Sequence, residues 1–209
     1  MGPKFPLEIA AGLPSGVLAV FCSVMKRHPV LFLNGTSSSG KTTTVRAFQK
    51  LWHQPTLYAS NDSFIFMFPE HVLKDDNVRP KVLWPLLSAF NRSLPHLAAL
   101  EFPLVVDYVL EAKEWVRECV ESLAAHEVLF VGVKCSLEEL ERREQARGDR
   151  QIGFARMQYE VVHRFGAYDF EINTGTHTPE QCAAQLQELL LSGRKGTAFD
   201  RLRKQFAAD

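Results

Sequence analysis

The chain has 209 residues, which suits one domain with room for a small lid or insert. Its 46% hydrophobic and 23% charged content is that of a soluble globular protein with a full core, and excludes a disordered one. The 24 basic residues are balanced by 24 acidic ones, which argues against a nucleic-acid partner held by a global basic field.

Residues 1–29 read as a leader helix. The apolar run 17–25 imitates a signal-peptide core, but Lys26, Arg27 and His28 stand where small residues would mark cleavage, and they suit a helix C-terminus. No run reaches the roughly 18 apolar residues of a membrane span, so no membrane partner is expected and a cytoplasmic location is. Short apolar, β-branched runs then alternate with helical patterns, which predicts an α/β fold with a mainly parallel sheet. The predicted strands are 30–34, 56–59, 104–107, 128–134 and 170–173. The predicted helices are 41–52, 82–100 (interrupted or bent near Pro85 and Pro95), 111–125, 137–147, 154–165 and 179–191. Ser136 with Glu139 forms a capping-box pattern. Thr178 as cap and Pro179 at the first position start the last helix. The segment 64–81 reads as a substrate-side loop or insert. Residues 30–192 form the α/β domain, and 193–209 read as a polar, basic tail, solvated or briefly helical, with Phe199, Leu202 and Phe206 as docking points. Cysteines 22, 119, 135 and 182 and the seven histidines have no metal-ligand or redox spacing.

Gly35-Thr36-Ser37-Ser38-Ser39-Gly40-Lys41-Thr42 matches GxxxxGK[ST], with a predicted strand before it and a helix beginning at Lys41, Thr42 and Thr43. Glycines allow successive N–H groups to converge on an anion, and the helix N-terminus favours phosphate. In this pattern Lys41 reaches the β- and γ-phosphates of ATP, and the Thr42 hydroxyl ligates Mg²⁺. Two predicted strands are followed by aspartates. Leu104-Val105-Val106-Asp107 has the Walker B form, whose carboxylate supports the Mg²⁺ shell. Asp62 lies just past the second strand, where a carboxylate takes a proton from an acceptor hydroxyl; Asn61-Asp62-Ser63 is equally good turn or cap chemistry. In 137–150, Arg143 and Arg147 share a helical face, and Gly148-Asp149 breaks the helix before another begins. That is the layout of a lid, about 137–165, whose guanidinium groups match phosphate geometry. Arg142 reads better as part of a solvated face laced with glutamates.

The chain resembles the chloramphenicol phosphotransferases, a P-loop kinase family, over about residues 30–190. The resemblance rests on four segments: the loop from Leu33 to Thr42; Asn61-Asp62-Ser63; the strand 128–135 with 143–150; and Val161-Val162-His163 with 168–174. It implies a five-stranded parallel sheet flanked by helices, with a small helical lid. Asp62 matches the catalytic base, and Arg143, Arg147 and Arg150 match the lid over the nucleotide. His163 falls in the lid-to-strand helix rather than among ligands. Asp107 is followed by Tyr108 where the family often has a second aspartate, and 67–100 diverges. The reading is therefore an ATP- and Mg²⁺-dependent O-phosphotransferase acting on a small-molecule hydroxyl. Phe64, Phe66, Met67, Phe68 and Trp84 are candidate walls for an aromatic acceptor such as an antibiotic. A kinase of a sugar or nucleoside, and a non-catalytic nucleotide-binding module, are the alternatives; the latter has no need of Asp62.

Overall fold

A computed structural model describes residues 28–100, 102–147 and 153–208. Most of the leader segment, and Arg150, lie outside them. Five strands form one all-parallel sheet: β1 (Val30–Asn34), β2 (Leu57–Ser60), β3 (Leu104–Tyr108), β4 (Val128–Lys134) and β5 (Phe170–Asn173), in the order β2-β3-β1-β4-β5. The helices are α1 (Lys41–Trp52), α2 (Asn61–Ile65), α3 (Glu70–Leu73), α4 (Arg79–Ala98), α5 (Lys113–Ser122), α6 (Leu137–Arg147), α7 (Phe154–Val162), α8 (Pro179–Leu191) and α9 (Ala198–Ala208). Among the described residues no helix is long and apolar enough to cross a membrane.

The central strands are apolar up to their C-terminal ends because both sheet faces are covered. Successive side chains alternate faces. Leu31 and Leu33 enter the core beneath α1 and α8, with Val45, Phe48, Cys182 and Leu186. Phe32 enters the opposite core with Phe90, Tyr108, Phe130 and Phe199. Register places the chemistry. Leu33 pairs with Asp107, and Ser60 pairs with the same Asp107. The end of β1, Asp107 and the start of α2 therefore meet at one edge of the sheet.

Two expectations are corrected and an open one is settled. The segment 64–81 is not one loop: it carries the end of α2, all of α3 and the start of α4. Helix α4 begins at Arg79 and continues past both Pro85 and Pro95. For the C-terminal segment the solvated alternative gives way to the helical one, α9, with Phe199, Leu202 and Phe206 as its docking points. Ala198, Phe199, Leu202 and Phe206 lie on one face of α9 and are buried in the core, while its charged residues face outward. Buried Asp169 anchors that helix, accepting from the Thr197 N–H (2.8 Å), the Ala198 N–H (3.0 Å) and, on its other oxygen, the Phe130 N–H (3.0 Å). Thr178 caps α8 as expected, and its side chain forms a full capping box with Gln181. At α6, Ser136 accepts from the Glu139 N–H (3.3 Å), but the Glu139 carboxylate is taken by Arg142 and Arg143.

Candidate active site

The loop 35–42 leaves β1 through two glycines with different demands. A Cβ on Gly35 would stand 2.7 Å from the Val133 carbonyl oxygen. Gly40 has φ +83°, a left-handed conformation that side chains disfavour. Lys41 is buried. Its ammonium donates to the Gly35 (2.9 Å) and Thr36 (2.8 Å) carbonyls and lies 3.7 Å from Asp107 Oδ1. Thr42 Oγ1 donates to Asp107 Oδ2 (2.9 Å), and the Tyr58 hydroxyl donates to the same oxygen (3.0 Å). Burial and the neighbouring Asp107 charge push Tyr58 up to about 12, so it stays a neutral donor. Among the described residues, the Ser38 and Ser39 hydroxyls are buried with no hydrogen-bond partner. Buried hydroxyls of this kind in a GxxxxGK[ST] loop suit an anionic ligand.

Strand β2 ends in Ser60, whose Oγ accepts from the Asp62 N–H (3.2 Å) and caps α2. Asp62 thus sits in the first turn of a short helix at the sheet edge. It lines one cavity of about 720 Å³ together with Lys41, Thr42, Asp107, Arg143 and Arg147. Residues 174–179 form the far wall.

Helices α6 and α7 form a hairpin over this cavity. Buried Glu144 locks it, accepting from the Gly153 (2.7 Å) and Ala155 (2.8 Å) N–H groups. Arg143 donates to Glu139 (2.7 Å) and to the Thr174 carbonyl (2.8 Å), which stations its guanidinium over Gly40. Arg142 pairs with the same Glu139 from the exposed side, and the two guanidinium groups pull that carboxyl down to about 2. The candidate walls part ways. Phe64 packs on Phe90 (ring centroids 5.0 Å apart), whereas Phe66 and Met67 are exposed and half-exposed Trp84 leans on Trp115.

Sequence reasoning missed Tyr58, Ser60, Gln158 and the 174–179 wall as cavity or contact residues. Tyr58 and Ser60 left a faint mark as polar groups at alternate positions of β2. Gln158 left none. Its Oε1 accepts from the Ser37 N–H (2.6 Å), a partner 121 residues away.

A parallel sheet in this order, with a GxxxxGK[ST] loop leaving its central strand and a helical lid above, defines a P-loop kinase, an enzyme that uses a nucleotide to move phosphate onto a hydroxyl. The chain belongs to the chloramphenicol phosphotransferase-like family, whose model matches residues 28–191. It is 30% identical over 97% of its length, and 95% of theirs, to the proteins named "Putative O-phosphotransferase Rv2636" and "Putative O-phosphotransferase MT2714" of two Mycobacterium tuberculosis strains. In fold it is similar to the M. tuberculosis APS kinase CysC (TM-score 0.61, 16% identity, 79% of this chain and 98% of that one). A shikimate kinase from Acinetobacter baumannii is comparable (TM-score 0.62, 16% identity, 82% and 98%).

Proposed function

We propose that the protein transfers the γ-phosphate of ATP to a hydroxyl of a chloramphenicol-like small molecule, with Asp62 as the general base. One observation carries this reading: a single cavity holds a phosphate-loop lysine, a threonine–aspartate pair, a second carboxylate and two lid arginines. The loop amides, Lys41 and the start of α1 at Thr42 and Thr43 bind the phosphates. The hydroxyl of Thr42 and the carboxylate of Asp107 are hard oxygen donors and fit Mg²⁺, which when bound supplies charge to the β- and γ-phosphate oxygens. Asp62 accepts the acceptor proton as the acceptor oxygen forms its bond to phosphorus and the bond to the ADP oxygen breaks. Arg143 and Arg147 offset charge on the transferring group.

The test is a γ-labelled ATP transfer screen across hydroxyl compounds that include chloramphenicol, a sugar and a nucleoside. Lys41→Ala is expected to abolish nucleotide binding or turnover. Asp62→Asn should bind ATP as the wild type does and lose about 10²–10⁴-fold in transfer. Wild-type transfer by Asp62→Asn would remove Asp62 from this role, and phosphorylation of a sugar or nucleoside but not chloramphenicol would reassign the acceptor.

A further inference from the structure

The lid touches the phosphate loop through one side chain that the proposed chemistry does not use. Gln158 stands on the inner face of α7, is only 3% exposed, and spans two elements. Its Oε1 accepts from the Ser37 N–H (2.6 Å), and its Nε2 donates to Glu111 Oε1 in the connection after β3. Ser37 follows the two carbonyls, Gly35 and Thr36, that hold the Lys41 ammonium. Since that lysine serves the β- and γ-phosphates, Ser37 marks the reacting end of the loop. The same lid helix grips its surroundings again one turn on. Asn34 donates to the Val162 carbonyl (2.9 Å) and accepts from the Leu110 N–H (2.9 Å), and Arg164 reaches the Glu111 carbonyl (3.5 Å). Burial raises the Glu111 carboxyl, and the Gln158 amide, along with the Arg79 charge, draws it back down.

We propose that Gln158 is a positioning residue for phosphoryl transfer: through its paired bonds to Ser37 and Glu111, the closed lid fixes the reacting end of the phosphate loop. This rests on the reading of the loop as an ATP site. A carboxamide offers an acceptor to an amide and a donor to a carboxylate from two separate atoms, so it can hold both partners at once. Its loss therefore loosens the γ end of the loop while the amides, Lys41 and α1 still hold the nucleotide. Small displacements at a reacting centre cost about 10²-fold in rate.

The test uses the full chain and reads three quantities: single-turnover release of γ-phosphate from labelled ATP to water and to any acceptor found in the screen, affinity for a fluorescent ATP analogue, and the melting temperature. Gln158→Leu is expected to lower the transfer rate at least about ten-fold and change analogue affinity by less than about three-fold. Gln158→Glu sets two carboxylates against each other and should lose at least as much. The exchange Gln158→Glu with Glu111→Gln restores donor and acceptor in swapped positions and should recover most of the rate lost by Gln158→Glu. A wild-type rate in Gln158→Leu overturns the proposal, as does an exchanged pair no faster than Gln158→Glu. Should Gln158→Leu fail to fold, that second comparison decides alone. A wild type that hydrolyses ATP but phosphorylates no acceptor overturns the hydroxyl-kinase reading, while the same rate ratios still judge Gln158.

Discussion

At the scale of single residues, the end of β1 is tied to the lid by a buried polar chain. Asn34 donates to the Tyr168 hydroxyl (2.9 Å), which shares a hydrogen bond with His163 Nδ1 (2.7 Å). Burial, with the Lys134 and Lys41 charges, pushes His163 down to about 4 from 6.5. Between those values the unfolded chain binds the proton and the folded chain does not. The contribution of this group to stability is therefore complete above about 6.5 and is lost as pH falls through about 4. Because the ring is only partly buried, solvent screening holds the effect to about 1–2 kcal/mol. His163→Gln should lack that part of the acid sensitivity. Urea unfolding midpoints of the two proteins from pH 7 to pH 4 check it, and parallel curves would refute it. The sequence placed His163 in the lid-to-strand segment, where it caps α7. It did not show the chain to Asn34, because those contacts cross more than a hundred residues.

At the scale of elements, legibility followed length and continuity. The buried strands and α1, α6 and α8 were readable because their periodic or apolar patterns run long enough to register. Helices α2 and α3 have five and four residues, too few for a 3.6-residue period to show, so the acceptor-side segment looked like loop. The phosphate loop was readable because its chemistry is contiguous, and Asp62 and Asp107 because strand ends are where ligands gather in such sheets. Glu144 was misleading. In sequence it belongs with the glutamates of a solvated face, yet it is 1% exposed and caps the start of α7. Its partners are backbone amides, which leave no signature in the sequence. Glu144→Ala leaves two buried donors unsatisfied and should cost about 1–3 kcal/mol. The cost belongs to the hairpin, so hydrogen exchange in α6 and α7 should quicken more than in β1, β3 and β4. Uniform quickening across the sheet would show that the hairpin is not a separate unit.

At the scale of the whole molecule, the site is a consequence of the parallel sheet. Loop, Asp107 and Asp62 follow three neighbouring strands whose registry brings them to one edge, so no single segment carries the chemistry. The sheet is in turn backed by a helix that the sequence left open as tail or short helix. The matched family region ends at residue 191, and α9 lies beyond it. Phe199 nevertheless packs against Phe32 and Phe130, with ring centroids 5.3 and 5.1 Å away, directly under β1 and β4. The basic residues gave this helix a polar composition, because Arg201 and Lys204 face solvent while the apolar stripe turns inward. Phe199→Ala removes a large aromatic from a closed core and should cost about 3–5 kcal/mol. In a chain of this size that lowers the melting temperature by about 6–20 °C. Deleting residues 195–209 exposes the whole face and should abolish cooperative unfolding. Nucleotide affinity of Phe199→Ala, measured well below its melting point, should stay near wild type, because Phe199 packs against Phe32 and Phe130 of the sheet rather than lining the cavity of Lys41 and Thr42. A melting temperature within about 2 °C of wild type would mean that the sheet closes its core without α9.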